Sequence, residues 1–211
     1  MSFQFGGFIA LHRGDVRMPL TEWQRAYGPE EDLDLEDSLD AFVRALHRGR
    51  WQVVLVETSI EEASARSAKT LAVTAHDRCV LLFDRTGVLS CDAETPGAMS
   101  AFDEHLAAMT TAGPVASLFA YWLDGTSDSY FFALFERGAR VRRWASLPTE
   151  AGVLVLDEGP RLPTEPAGEA HGEERVDLAS RALLRDRGII DIACEHGAPV
   201  YTAERNFAVR G

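Results

Sequence analysis

Four apolar runs crowd residues 115–159: "VASLFAYWLDG", "SYFFALFERG", "ARVRRWASL" and "GVLVLDEG". Each is about as long as one strand, and the joints between them carry Gly or Asp, residues that accept tight turns. Joints this short leave no room for a crossover helix, so consecutive runs must pair antiparallel. No other stretch restricts the fold as much.

The flanking segments add helices and further strands. "FGGFIAL" (5–11), "WQVVLVE" (51–57) and a hairpin over 78–91 read as strands, and "PLTEWQRAYG" (19–28) suits a short helix. Leu35, Leu39, Phe42, Val43 and Leu46 recur at helical spacing, with Gly49 placed to end that helix. A second apolar stripe, Met99, Phe102, Leu106 and Met109, predicts a helix over 97–113. Residues 160–174 hold three prolines and read as a loop, followed by a helix over 175–188 and a tail. The order predicts a single α+β domain over 1–211, a mostly antiparallel sheet with helices packed on one face.

Composition narrows the function. The 211 residues are 46% hydrophobic, enough for a core without disulfide or metal staples. Against 33 acidic side chains stand 21 basic ones, a net charge of −12. That balance argues against nucleic acid and against an anionic membrane surface as partners. No apolar run approaches the length of a membrane span, and the start "MSFQFGGFIALHRG" has no basic leader. With only Cys79, Cys91 and Cys194 as cysteines, a cytoplasmic protein with reduced thiols is expected.

Chemistry-bearing patterns are few. There is no dinucleotide-binding G-x-G-x-x-G, no phosphate-binding G-x-x-x-x-G-K-[ST] and no G-x-S-x-G nucleophile turn. Cys194 and His196 are the residues an enzyme with a dispersed site would use, but chain neighbours in extended backbone point apart. His171 among Glu169, Glu173 and Glu174 lacks the paired spacing of a metal site, so neither metal nor cofactor is expected.

The densest positive charge is "FERGARVRRW" (135–144). Strict alternation puts Arg140, Arg142 and Trp144 on one face and Val141 and Arg143 on the other, with Arg137 in the turn. Such a group can hold a small anion through bidentate hydrogen bonds. It can equally balance Asp124, Asp128 and Glu136 across the strands.

Residues 130–165, "YFFALFERGARVRRW…LDEGPRLPTE", resemble a layout in uncharacterised bacterial proteins, some of them similar to immunity or accessory proteins. The resemblance implies an accessory role and supplies no catalytic residue. The densest negative charge is "PEEDLDLEDSLD" (29–40). Glu36, Asp37 and Asp40 suit a helix start, whereas Glu30, Glu31, Asp32 and Asp34 have no such local reason. The expectation is a non-catalytic acidic binding protein, with an immunity-type role as one form of it, that meets a basic protein partner through those four acids. An enzyme at Cys194 and His196, or an anion-binding module at Arg140 and Arg142, is the alternative.

Overall fold

The computed structural model describes residues 4–14, 16, 42, 45–46, 56–58, 70–76, 78–84, 100–111, 115–163, 165, 172–186 and 200–204. The meander forms where the turn chemistry puts it, as β5 (Val115–Asp124), β6 (Ser129–Glu136), β7 (Ala139–Thr149) and β8 (Gly152–Glu158). Earlier in the chain run β1 (Gln4–His12), β2 (Val56–Thr58), β3 (Thr70–His76) and β4 (Cys79–Asp84). A late strand, β9 (Val200–Glu204), lies in the tail. All nine join one sheet in the order β2-β9-β3-β4-β1-β5-β6-β7-β8, and every pairing is antiparallel. The sheet takes β1 as its central strand and inserts β9 between β2 and β3, so early and late segments are held in one ladder.

Among the described residues, two helices with complete bounds flank this sheet: α1 (Ala101–Met109) and α2 (Gly172–Asp186). Ser100 caps α1 by accepting a hydrogen bond from the Asp103 N–H. The helices lie on opposite faces, not on one face as the element order suggested. Phe8, Ala10, Leu118, Ala120 and Trp122 share a core with Leu106 and Ala107 of α1. Their chain neighbours Ile9, Phe119, Tyr121 and Leu123 form a second core with Val176, Ala179 and Leu183 of α2. The physical reason lies in β5. From Leu118 to Leu123 it is apolar without interruption, so both of its faces must be covered.

Of the stripe predicted to be helical in the forties, Phe42 and Leu46 are buried with α1 in the first core, and His105 Nε2 lies 2.8 Å from the Ala45 carbonyl oxygen. Leu35, Leu39 and Val43, the acidic residues Glu30, Glu31, Asp32 and Asp34, and the predicted 19–28 helix lie outside the described residues. The last helix starts at Gly172, inside the stretch read as a loop, because its first turn carries Glu173 and Glu174, which suit a helix N-terminus.

Gly7 shows how tightly the centre is built. A Cβ there would lie 2.4 Å from the Leu82 carbonyl oxygen and 2.7 Å from Tyr121 Oη. One obstacle is backbone of the neighbouring strand and the other a buried phenol, so neither can give way cheaply. Gly7→Ala is expected to cost about 1–3 kcal/mol. A thermal melt should show this as a fall in Tm of roughly 2–4 °C per kcal/mol for a chain of this size.

His12, at the end of β1, is buried and packs edge-on against Phe42, with ring centroids 5.3 Å apart. Burial holds its imidazole below the ordinary histidine range. The unfolded chain therefore takes up the proton first. Stability is full above about pH 6.5 and declines as pH falls from there toward the lowered folded value. Melts between about pH 7.5 and pH 5.5 should show this loss in the wild type and a smaller one in His12→Leu.

Candidate functional site

The arginine strand is β7, and its strict alternation is broken. Leu134 pairs with Arg142 and Phe135 with Arg140, so Val141 is an extra residue, a β-bulge. The bulge moves Arg140 onto the α1 face with Phe135, and leaves Arg142 and Trp144 on the α2 face with Leu134 and Phe132. The expected sharing of one face by Arg140, Arg142 and Trp144 is thereby corrected: Arg140 is separated from the other two. Gly159 closes over the bulge; a Cβ there would meet the Val141 carbonyl oxygen at 2.3 Å.

On the α1 face, Arg140 bonds the Asp103 carboxylate of α1 and, at 2.8 Å, Glu158 of β8. On the α2 face, Arg142 is 1% exposed. Its Nε and Nη2 donate to the two oxygens of Glu165 at 2.5 and 2.9 Å, a bidentate pair. Its Nη1 donates to Asp157 at 2.6 Å and to the carbonyls of Arg143, Glu158 and Gly159 at 3.1, 3.0 and 3.3 Å. Arg142 also lies over the Phe132 ring, 5.8 Å from its centre.

Glu165 accepts more than Arg142. The Leu162 N–H donates to it at 2.9 Å, and Arg175 Nη2 of α2 at 3.0 Å. Burial would push this carboxyl up, but the hydrogen bonds from Arg142, Leu162 and Arg175 outweigh burial and hold it below the usual carboxylate range. For Arg142 burial acts in the opposite direction and would lower the value, but Glu165 and Asp157 more than offset it and raise it. Arg175 lies over Trp144, its guanidinium carbon 4.9 Å from the ring centre, and Trp144 stacks on Phe132 with centroids 6.0 Å apart. One carboxylate therefore joins the bulged strand to α2 above an aromatic floor.

The partners differ from those spacing suggested. Asp124 caps the β5–β6 turn, accepting from the N–H groups of Thr126 and Ser127 at 2.8 and 3.3 Å. Asp128 accepts from the Tyr130 hydroxyl at 3.2 Å. Arg137 is exposed in the β6–β7 turn at φ 51°. Arg143 is buried on the α1 face. Asp103, Asp157, Glu158, Glu165 and Arg175 are the members sequence reasoning missed. An arginine-rich strand between apolar strands was the available signal, since buried guanidiniums require carboxylates. Spacing could not say which carboxylates, because Asp103 and Glu165 come from elements 37 and 23 residues away.

Among the described residues, no three His, Cys, Asp or Glu side chains gather as metal ligands would. Cys194 and His196 lie outside the described residues, and Cys79 is buried in the second core. No helix among the described residues is long and apolar enough to cross a membrane. Comparison with protein-family models, with curated proteins and with solved structures gives no match.

Removing Glu165 takes the bidentate partner from Arg142 and the nearest carboxylate from Arg175. Glu165→Ala is expected to destabilise by about 3–5 kcal/mol, the scale of a broken buried ion pair. Neutralising the group, as Arg142→Met, Glu165→Leu and Arg175→Met together, should recover much of that loss. Because the folded value of Glu165 is lowered, its contribution is full above the ordinary unfolded value near 4.3 and is lost as pH falls through the folded value. Denaturant titrations of the three proteins at neutral and at acid pH measure both effects, with the difference between wild type and triple variant shrinking in acid.

Proposed function

We propose that this protein is a non-catalytic acidic binding protein whose partner is a basic protein. The observation that carries the reading is the inward use of its cations. Arg140, Arg142 and Arg175 are bonded to Asp103, Glu158, Asp157 and Glu165 of the same chain. Those contacts take up acids and bases in similar number, so the excess of 33 acids over 21 bases is left to the rest of the chain. Guanidiniums already satisfied by carboxylates have little to offer an added phosphate or carboxylate, which disfavours the anion-binding alternative at Arg140 and Arg142.

Glu30, Glu31, Asp32 and Asp34 supply the densest part of the remaining acidity. A field of one sign speeds encounter with an oppositely charged partner and weakens with salt. The immunity-type role suggested by residues 130–165 is one form of this reading, since an acidic inhibitor covering a basic toxin works by charge complementarity.

Affinity capture from the native host tests it, with wild type and with a Glu30→Gln, Glu31→Gln, Asp32→Asn, Asp34→Asn variant. The expected result is a basic protein held by the wild type at low salt, released at high salt and recovered weakly by the variant. Recovery of the same partner by both forms at both salt concentrations would remove the acidic segment from the account. Melting temperature raised by inorganic phosphate in the wild type, and not in Arg140→Ala, would restore the anion-binding reading.

A further inference from the structure

We infer that β8 is a docking edge, to which an extended cationic segment of the partner adds as a further strand. The inference rests on the basic-partner reading above and names the surface and the form of recognition. The sheet order ends at β8, and among the described residues β8 pairs only with β7. It runs seven residues, "GVLVLDE", in unbroken register and without Pro, Lys or Arg. Natural sheets usually blunt an edge of that kind with brevity, a bulge, a proline or a lysine. The opposite edge follows the rule, since β2 has three residues.

The side chains of β8 match the backbone. Val153 and Val155 are 67% and 58% exposed, the two most exposed large apolar side chains among the described residues. They share the α2 face, while Leu154 and Leu156 turn to the other core. Next to Val153 stands the exposed Pro148 of β7; Val155 pairs with Ser146, and Ser146 with Tyr130 of β6. Helix α2 packs mainly on β5 and β6; its Arg175 Nη2 lies 3.8 Å from Asp157 near the end of β8, while Val153 and Val155 stay exposed. The corner is thus an apolar strip alongside an open ladder.

Charge selects the occupant. Glu150 stands in the turn before β8, and Asp128 and Glu173 lie near Tyr130; all three are exposed, with Arg161 as the exposed base past the end of β8. A second copy would bring another net charge of −12 to the same place. An extended segment that alternates apolar and basic residues fits better. Its main chain completes the open ladder, its apolar side chains cover Val153 and Val155, and its cations reach these acids.

The test uses the full chain and a short synthetic peptide of alternating valine and arginine. Hydrogen exchange read by mass spectrometry should slow over residues 152–158 when this peptide is added, and the slowing should weaken with salt. A backbone N-methylated form of the peptide, which cannot pair and leaves the protein unaltered, should bind at least roughly tenfold more weakly. Val155→Asp, at an exposed position, should lose binding similarly while keeping the wild-type melting temperature. Salt-sensitive binding that leaves 152–158 unprotected, or equal binding by a serine–arginine peptide, overturns the docking edge and leaves the basic-partner reading standing. Failure of every cationic peptide to bind overturns the edge and counts against that reading too. Protection of 152–158 that grows with protein concentration in the absence of peptide assigns the edge to a second copy and overturns the inference.

Discussion

The carboxylate of Glu165 holds two arginines that the interior could not otherwise keep. A guanidinium taken out of water loses several kcal/mol of hydration, which only close, well-aligned acceptors replace. Arg142 finds both oxygens of Glu165, the Asp157 carboxylate and three carbonyls; Arg175 reaches the same Glu165 from α2. The arrangement fixes where the chain between β8 and α2 must pass and how α2 meets the sheet. Trp144 and Phe132 beneath it exclude water and lend their ring faces to the two cations.

The bulge at Val141 makes this possible. Without it, β7 would present Arg140, Arg142 and Trp144 together on one side, and three large polar or aromatic groups would compete for one patch of sheet. With it, Arg140 turns to Asp103 of α1 while Arg142 turns to Glu165. One extra residue thereby ties a single strand to both layers of the protein. A cluster that looks in sequence like a ligand site becomes a set of internal fasteners, and the acid excess lies outside it.

The two ends of the sheet are built differently, and the proposed docking edge rests on that asymmetry. The β2 end is short, and β9 lies between it and the rest of the sheet. The β8 end is long and regular, with valines turned outward and the exposed Glu150 in the turn before it. An edge strand offers main-chain hydrogen bonds to any extended chain, so specificity must come from side chains and charge. Here both support the proposed basic, partly apolar strand.

The amino-acid sequence by itself determined the local elements: the β5–β8 meander from apolar runs and turn residues, and α1 from its apolar stripe. Those signals are short-range, set by backbone geometry and by the period with which apolar side chains recur. The antiparallel character of the meander follows from the same local facts. The unbroken apolar run Leu118–Leu123 also carried the need for cover on both faces, although the order of elements pointed to one. Tertiary structure alone decided the rest. It put β1 at the centre and β9 beside β2, bulged β7 at Val141, and brought Asp103 and Glu165 to Arg140 and Arg142. Each of those outcomes joins residues far apart in the chain. Which distant carboxylate reaches a buried arginine depends on how whole layers pack, a choice that no local spacing encodes.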